Sequence, residues 1–262
     1  MPQVEIDDLN LHYRLDGETG AVVLLSNSLA SNLAMWDAQV PALRAAGFRV
    51  LRYDTRGHGQ SSVPKGPYRL EQLADDARAL IDRLGFERVH FCGLSLGGMI
   101  GQLFATRYPE RLQSLTLCAT AAYLGPPDLW AGRIKMVEDG GMQAVVDATI
   151  SRWFTQANQA RLPEAVARVR AGILATPTAG YIGCGAAIRG MDQRETIRTI
   201  RTPSLVMVGA LDPSTTVEEA RLLNERIIGS ELVIIRDTQH FLNIEEPQEF
   251  NAASVDFLQR HR

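Results

Sequence analysis

Cysteine is scarce in this chain: 262 residues contain three, Cys92, Cys118 and Cys184, which lie far apart. An odd number at such spacing excludes a disulfide framework, and two of the three fall in apolar runs typical of reduced core positions. The chain also has no C-x-x-C pair and no H-E-x-x-H sequence, the spacings that hold zinc. We therefore predict neither a metal nor another cofactor.

An excess of charge of one sign is also absent. The 27 basic and 30 acidic residues are interspersed, giving a net charge of −3. Nucleic-acid and membrane-surface binders need a basic stripe or patch, and this chain has neither. The sequence thus predicts a small-molecule partner and neither a nucleic-acid nor a membrane partner. It leaves the choice between monomer and homo-oligomer open.

Long apolar runs are missing as well. The longest weakly polar run, residues 91 to 105, is shorter than the roughly 20 residues that span a bilayer. The first eight residues carry acids where a signal peptide needs a basic and then an apolar stretch. We expect a cytoplasmic protein.

What the chain does have is a regular alternation of strand-like and helix-like segments. The strand-like runs are continuous rather than alternating in hydrophobicity, which is typical of strands buried on both faces of a parallel sheet. A hairpin at Val4–Ile6 and Leu9–Leu15, turning at Asp8, precedes them. The predicted class is α/β, with a mostly parallel sheet and helices on both faces. Strands are predicted at residues 21–25, 49–53, 89–92, 112–119, 204–208 and 232–235, and helices at 35–46, 70–84, 99–108, 217–228 and 248–261.

The alternation stops between residues 122 and 191, where helix-like segments such as 128–137 and 142–153 follow one another without a convincing strand. We predict a helical cap at 122–191, inserted into a core formed by 1–121 and 192–262. A cap there falls at the carboxyl edge of the sheet, where ligands bind in open α/β sheets. The alternative is a separate helical domain, but no Pro- or Gly-rich linker flanks the segment.

The most informative motif is Gly93-Leu94-Ser95-Leu96-Gly97, which lies between a strand-like and a helix-like run. A G-x-S-x-G sequence in that context is a nucleophile elbow: the serine occupies a sharp turn, and glycines let neighbouring backbone pass closely. The hydroxyl is then presented at a helix N-terminus, where N–H groups point toward developing negative charge. Without that context the pattern would recur by chance.

A serine needs a base, and a histidine held by a carboxylate is the usual one. Of five histidines, only His240 lies in a loop between a late strand and the last helix. The acid should follow a strand between Ser95 and His240, and Asp212 ends such a run. Asp237 lies too near His240 in sequence and is predicted to shape the loop. Asp212 could instead cap the turn that follows it.

Acyl transfer also needs donors for an oxyanion. One predicted donor is the backbone N–H of Leu96, and the other is the N–H of Leu29 in the loop after the third strand. Asn27 and Ser28 in this loop are predicted either to hold it in place or to touch substrate, although a plain turn would use the same small polar residues.

These residues resemble the α/β-hydrolase superfamily and, within it, the 3-oxoadipate enol-lactonase family. The resemblance covers nearly the whole chain and implies the α/β-hydrolase fold, with an eight-stranded, mostly parallel sheet and an inserted helical cap. The cap motifs matter most, since elbows are shared by many activities whereas cap residues select substrates. The motifs are residues 25–29, 52–59, 90–99, 152–154 and 180–189.

The resemblance implies hydrolysis of a five-membered enol-lactone with a carboxymethyl arm. Because this substrate carries a carboxylate, a cap arginine should help to select it. Our hypothesis is that Arg133 or Arg189 holds the carboxylate while Trp130 or Trp153 walls the pocket, with Arg152 as a further candidate. These residues could equally be surface arginines and core tryptophans.

Two other functions remain open on the sequence alone. The same machinery serves other serine esterases, lactonases and C–C bond hydrolases. A binding protein of this fold without useful turnover is the third reading, which the presence of nucleophile, base and acid disfavours.

Overall fold

The computed structural model describes residues 2–7 and 9–262 and contains an eight-stranded sheet in the order β1-β2-β4-β3-β5-β6-β7-β8. The first two strands pair antiparallel with each other, β2 pairs antiparallel with β4, and all other neighbours are parallel. The predicted turn residue Asp8 lies outside the described residues. The strands are β1 Gln3–Ile6, β2 Leu9–Asp16, β3 Val22–Ser26, β4 Arg49–Tyr53, β5 Val89–Leu94, β6 Leu112–Cys118, β7 Ser204–Gly209 and β8 Glu231–Ile235.

The interior strands confirm the reading of continuous apolar runs. Every residue of β3, β5 and β7 is buried, because helices cover both faces of the sheet. The predicted fold class is confirmed. The helices outside the inserted segment are α1 Val40–Ala45, α2 Leu70–Arg83, α3 Leu96–Arg107, α9 Val217–Arg226, α10 Leu242–Glu245 and α11 Pro247–Arg260.

One predicted helix is divided in the structure. Instead of a continuous helix over 35–46, a 3₁₀ turn covers Leu33–Trp36 and α1 covers Val40–Ala45. Pro41 stands in the first turn of α1, where its missing N–H costs nothing. A proline inside a continuous helix would have removed a hydrogen bond, so the helix starts beside it instead.

The segment between β6 and β7 contains α4 Pro127–Gly140, α5 Val146–Trp153, α6 Gln156–Arg161, α7 Pro163–Ala175 and α8 Thr178–Arg189. We call these five helices the cap helices. Two of them overlap the helical segments predicted from sequence, although the second predicted segment is a 3₁₀ turn at Met142–Ala144 followed by α5. The cap boundaries at 122 and 191 stay a prediction.

Within the described residues no single helix is long and apolar enough to cross a membrane, although α7 and α8, bent by 92°, satisfy that test as a pair. The same residues contain no cluster of three His, Cys, Asp or Glu side chains suited to a metal ion.

The sheet brings the candidate site residues together. Because parallel strands end at one edge, the residues that follow β3, β5, β7 and β8 lie at that edge. Ser95 follows β5 directly, Asp212 follows β7, and His240 follows β8. The cap helices enter the chain after β6, at the same edge.

Candidate active site

Ser95 occupies a strained turn between β5 and α3, with φ 56° and ψ −114°. A non-glycine residue with positive φ costs about 1–3 kcal/mol, and such strain clusters at functional sites. The flanking glycines are required by close backbone contacts. A Cβ on Gly93 would stand 2.1 Å from the Gly97 carbonyl oxygen, and one on Gly97 would stand 2.1 Å from that of Ser26.

Asp212 and His240 form a buried pair. His240 Nδ1 lies 2.8 Å from Asp212 Oδ2, and the two side chains are 3% and 0% exposed. Asp212 also accepts from the Ser214 N–H at 2.8 Å, the Thr215 N–H at 3.1 Å and the Thr215 hydroxyl at 2.7 Å. The two roles considered for Asp212, holding the histidine and capping a turn, are thus both filled by one carboxylate.

These contacts govern the ionisation of Asp212. Burial by itself would raise the pKa of the carboxyl group, but His240 and the donors of Thr215 and Ser214 outweigh burial and hold the pKa below its usual value. The group therefore stays ionised at neutral pH, as a residue that orients an imidazole and stabilises its cation must.

Ser95 and His240 line the same cavity, which has a volume of about 310 Å³. No hydrogen bond joins Ser95 Oγ to His240 Nε2, although both residues are among those described. Catalytic hydrogen bonds are often long in an empty site and tighten when substrate binds. The structure thus places the predicted nucleophile and the predicted base at one cavity without a direct hydrogen bond between them.

Of the two predicted oxyanion donors, Leu96 follows Ser95 directly and Leu29 lines the same cavity as Ser95. Leu96 is the first residue of α3, so its N–H has no acceptor within the helix. In the loop after β3, the Ser28 N–H contacts Met35 Sδ at 3.4 Å and the Ala30 N–H contacts His58 Nε2 at 3.1 Å. The Leu29 N–H between them has no hydrogen-bond partner among the described residues, and Leu29 lines the cavity.

Asn27 does not line this cavity. It is 0% exposed, its amide donates to the Tyr53 carbonyl oxygen at 2.7 Å, and it accepts from Trp36 Nε1 at 3.0 Å. Of the two roles predicted for Asn27, holding the loop is the one its contacts fill. The prediction that Asn27 touches substrate is contradicted by the structure, because both the oxygen and the nitrogen of its amide are hydrogen-bonded within the protein.

Four of the five cap residues singled out from the sequence line the cavity: Trp130, Arg133, Arg152 and Trp153. Arg189 does not line it and is exposed. Ile188, the residue before it on α8, does line the cavity, and one residue along a helix turns the side chain by about 100°. The hypothesis that Arg189 holds the substrate carboxylate is therefore contradicted by its position in the structure.

Arg133 lies close enough to Arg152 to affect the pKa of Arg152. The pKa of Arg152 is lowered by burial and then by Arg133. Burial raises the pKa of the neighbouring Tyr181, against the effect of both guanidinium groups. Arg133 also stacks over Trp130, 4.9 Å from the ring centroid. Within the described part of the chain neither arginine has a salt-bridge partner, so two arginines line the cavity without forming an ion pair.

Thr215, Glu219 and Tyr181 are among the cavity-lining residues to which the sequence analysis assigned no role. Thr216 and Glu219 form a capping box at the start of α9, which the T-x-x-E spacing signals in the sequence. That signal does not show that Glu219 also lines the cavity, where burial raises its pKa. Such a placement depends on how α9 packs against the rest of the protein.

The loop that carries the candidate histidine is attached to the cap helices. The Phe241 N–H donates to the Trp153 carbonyl oxygen at 3.0 Å, and the two rings stack with centroids 4.0 Å apart. The buried carboxylate of Glu245 accepts from the Thr155 N–H at 2.8 Å and from the Gln239 N–H at 2.6 Å. These contacts fix Trp153, which lines the cavity, relative to the loop that carries His240.

Comparisons with known proteins agree with this geometry. The model of the alpha/beta hydrolase fold family matches residues 21–247. A 3-oxoadipate enol-lactonase of Acinetobacter baylyi is 37% identical over 97% of this chain and 94% of its own. The enol-lactonase structure from Burkholderia xenovorans superposes with a TM-score of 0.96 at 41% identity, covering 98% of this chain and 100% of that one. A malate-bound thermophilic esterase from Thermogutta terrifontis superposes with a TM-score of 0.94 at 28% identity, covering both chains fully.

Proposed function

The chain belongs to the α/β-hydrolase family and is a carboxylic ester hydrolase, and we propose that its substrate is 3-oxoadipate enol-lactone, hydrolysed to 3-oxoadipate in the degradation of aromatic compounds. The observation that carries the proposal is the cavity itself. It combines Ser95 and His240 on the core side with Arg133 and Arg152, two arginines without an acidic partner, on the cap side. Relatives named enol-lactonases support this substrate.

The proposed chemistry is acyl transfer through Ser95. Its Oγ attacks the lactone carbonyl while His240 takes the hydroxyl proton. The ring oxygen then leaves by accepting that proton from His240, as an enol that stays tethered to the acyl group. The N–H groups of Leu96 and Leu29 stabilise the oxyanion. His240, neutral again, deprotonates a water that attacks the acyl-enzyme, and it returns the proton to Ser95 Oγ as the acyl group leaves as a carboxylic acid, which ionises to the carboxylate. The enol tautomerises to the ketone.

Arg133 and Arg152 are proposed to bind the carboxymethyl arm. A guanidinium matches a carboxylate in shape and donates two parallel hydrogen bonds to it. Trp130 orients Arg133 by stacking, and Thr149 accepts from Arg152 at 3.3 Å, so each arginine is partly held in place before substrate binds. The related esterase that binds malate, also a carboxylate, supports anion binding in this fold.

The direct test is turnover. Purified protein mixed with the enol-lactone should cause loss of its ultraviolet absorbance at a rate far above the spontaneous one, and 3-oxoadipate should accumulate in equal amount. A neutral p-nitrophenyl ester serves as the reference substrate. Turnover of that ester with no turnover of the lactone would reject the lactone and leave a general esterase.

The arginines give a second prediction. Arg133→Ala and Arg152→Ala should each raise KM for the lactone by about 10- to 100-fold, because a hydrogen bond to a charged group is worth about 1.5–3 kcal/mol. KM for the neutral ester should change little. Arg189→Ala is the matched control, since this exposed arginine does not line the cavity and should leave both constants unchanged. Equal effects on both substrates would rule out a carboxylate anchor.

A further inference from the structure

His58 is a buried histidine to which the proposed mechanism assigns no step. It lies in the glycine-rich turn after β4, is 1% exposed, and contacts the loop after β3 that carries the Leu29 N–H. The Ala30 N–H donates to His58 Nε2 at 3.1 Å, and His58 Nδ1 lies 3.2 Å from the Arg56 carbonyl oxygen.

These two partners determine the state of the imidazole. A backbone N–H can only donate, so Nε2 of His58 has to be the unprotonated acceptor. A carbonyl oxygen can only accept, so Nδ1 has to carry the proton. His58 is therefore the neutral tautomer protonated at Nδ1. Burial, which lowers its pKa, favours the same neutral form.

The residue that His58 holds is strained. Ala30 has φ +59°, in the left-handed region that residues with a Cβ avoid. The other contacts near the tip of this loop are weaker or internal: Ser28 N–H to the sulfur of Met35 at 3.4 Å, and Ser31 Oγ to the Ser28 carbonyl oxygen at 2.7 Å. Thioether sulfur is a weak acceptor, so His58 supplies the main directional contact to the loop tip from outside, whereas Asn27 holds the start of the loop through Tyr53 and Trp36.

The turn that carries His58 is itself rigid. Asp54 accepts from the Leu33 N–H at 2.8 Å, the Gln60 N–H at 2.9 Å and His12 Nδ1 at 2.7 Å. Gly59, with φ +55°, packs so closely that a Cβ would stand 2.2 Å from the Asp54 carboxylate. A side chain projecting from this turn can therefore act as a fixed support.

We propose that His58 is a positioning residue for oxyanion stabilisation: through its Nε2 it holds Ala30 in the left-handed conformation and so keeps the neighbouring Leu29 N–H directed at the space beside Ser95. The inference rests on the proposed serine chemistry but not on the identity of the lactone. In this proposal the glycine-rich turn after β4 contributes to catalysis by supporting the loop after β3 and does not contact substrate. The stabilisation is realised in the transition state, so kcat rather than KM depends on His58.

Two matched substitutions separate the functions of the two ring nitrogens. His58→Gln places a carboxamide oxygen near the position of Nε2 and keeps an acceptor for Ala30. His58→Asn reaches only the position of Nδ1, so it keeps the contact to Arg56 and loses the acceptor. His90→Asn is the control for replacing a buried histidine, since His90 is 0% exposed, contacts Ser114 at 2.8 Å and does not line the cavity.

The assay uses the neutral p-nitrophenyl ester, so that it remains informative even if the lactone is not turned over. We expect H58N to lower kcat by about 10- to 100-fold with little change in KM, approaching the loss of one oxyanion donor. Inhibition by phenylboronic acid, whose tetrahedral adduct places an oxygen in the oxyanion site, should weaken by the same factor. H58Q should stay within about five-fold of the unmodified enzyme, since a neutral hydrogen bond is retained.

Each variant is assayed well below its own melting temperature, and His58→Leu, which also lacks an acceptor, replaces H58N if that variant does not fold. An unchanged kcat and boronic acid affinity in H58N would overturn the proposal. Equal losses in H58Q and H58N would also overturn it, because they would show that His58 acts through general packing.

Discussion

Ser95→Ala should lower kcat for ester and lactone hydrolysis by about five to six orders of magnitude, as expected when the nucleophile of a serine–histidine–aspartate set is removed. We expect no other hydroxyl to replace it, because among the described residues Ser95 alone offers a hydroxyl at the strained elbow, with φ 56°, beside the start of α3. The residual rate should come from the oxyanion donors and substrate binding alone. Initial rates at saturating substrate provide the measurement.

Binding and covalent labelling distinguish this loss from misfolding. S95A should bind 3-oxoadipate as tightly as the unmodified protein and should no longer be labelled by an aryl phosphonate. Ser254→Ala is the matched control, since this buried serine lies on α11 and contacts Met207 rather than the cavity. A fully active, labelled S95A would eliminate the acyl-enzyme mechanism.

Asp212→Asn should lower kcat by about four orders of magnitude. The carboxylate accepts from the Nδ1–H of His240 at 2.8 Å, which leaves Nε2 as the unprotonated nitrogen that the proposed mechanism uses as the base. An asparagine amide can turn its NH₂ group toward Nδ1 and stabilise the other tautomer, which cannot act as a base. Most of the turn should persist, because an amide oxygen can still accept from the Ser214 and Thr215 N–H groups.

Asp237→Asn is the control for this charge removal. Asp237 lies three residues before His240 and has φ +57°, a conformation that asparagine also tolerates, so kcat should be preserved. Phosphonate labelling of Ser95 should slow in D212N and stay normal in D237N. Similar losses of kcat in both variants would show that the negative charge acts at long range rather than through contact with the imidazole.

The sequence predicted the parts of the site that depend on local chemistry. Glycines on both sides of Ser95 are required because neighbouring backbone passes within contact distance, and this requirement is visible as G-x-S-x-G. The strand-to-loop positions of Asp212 and His240 could be read from apolar runs and their ends. The helix predicted over residues 35–46 is divided in the structure, because Pro41 is tolerated in the first turn of a helix but not in its interior.

The errors and omissions concern residues whose role depends on packing between distant segments. Asn27 is engaged by Tyr53 and Trp36, contacts that bring separate segments together. Arg189 faces solvent because the rotation of α8 on the core puts Ile188 toward the cavity instead. Thr215 had no sequence signal that linked its hydroxyl to Asp212.

The amino-acid sequence by itself determined the fold class, and it predicted the nucleophile and the base and acid that the structure holds as a buried pair, because hydrophobic periodicity and glycine sterics act within a few neighbouring residues. Only the tertiary structure decided which arginines face the nucleophile, whether Asn27 meets substrate, and how His58 supports the loop after β3. Those outcomes depend on how helices and loops far apart in sequence pack against one another, and that packing is set by the whole core rather than by any local pattern.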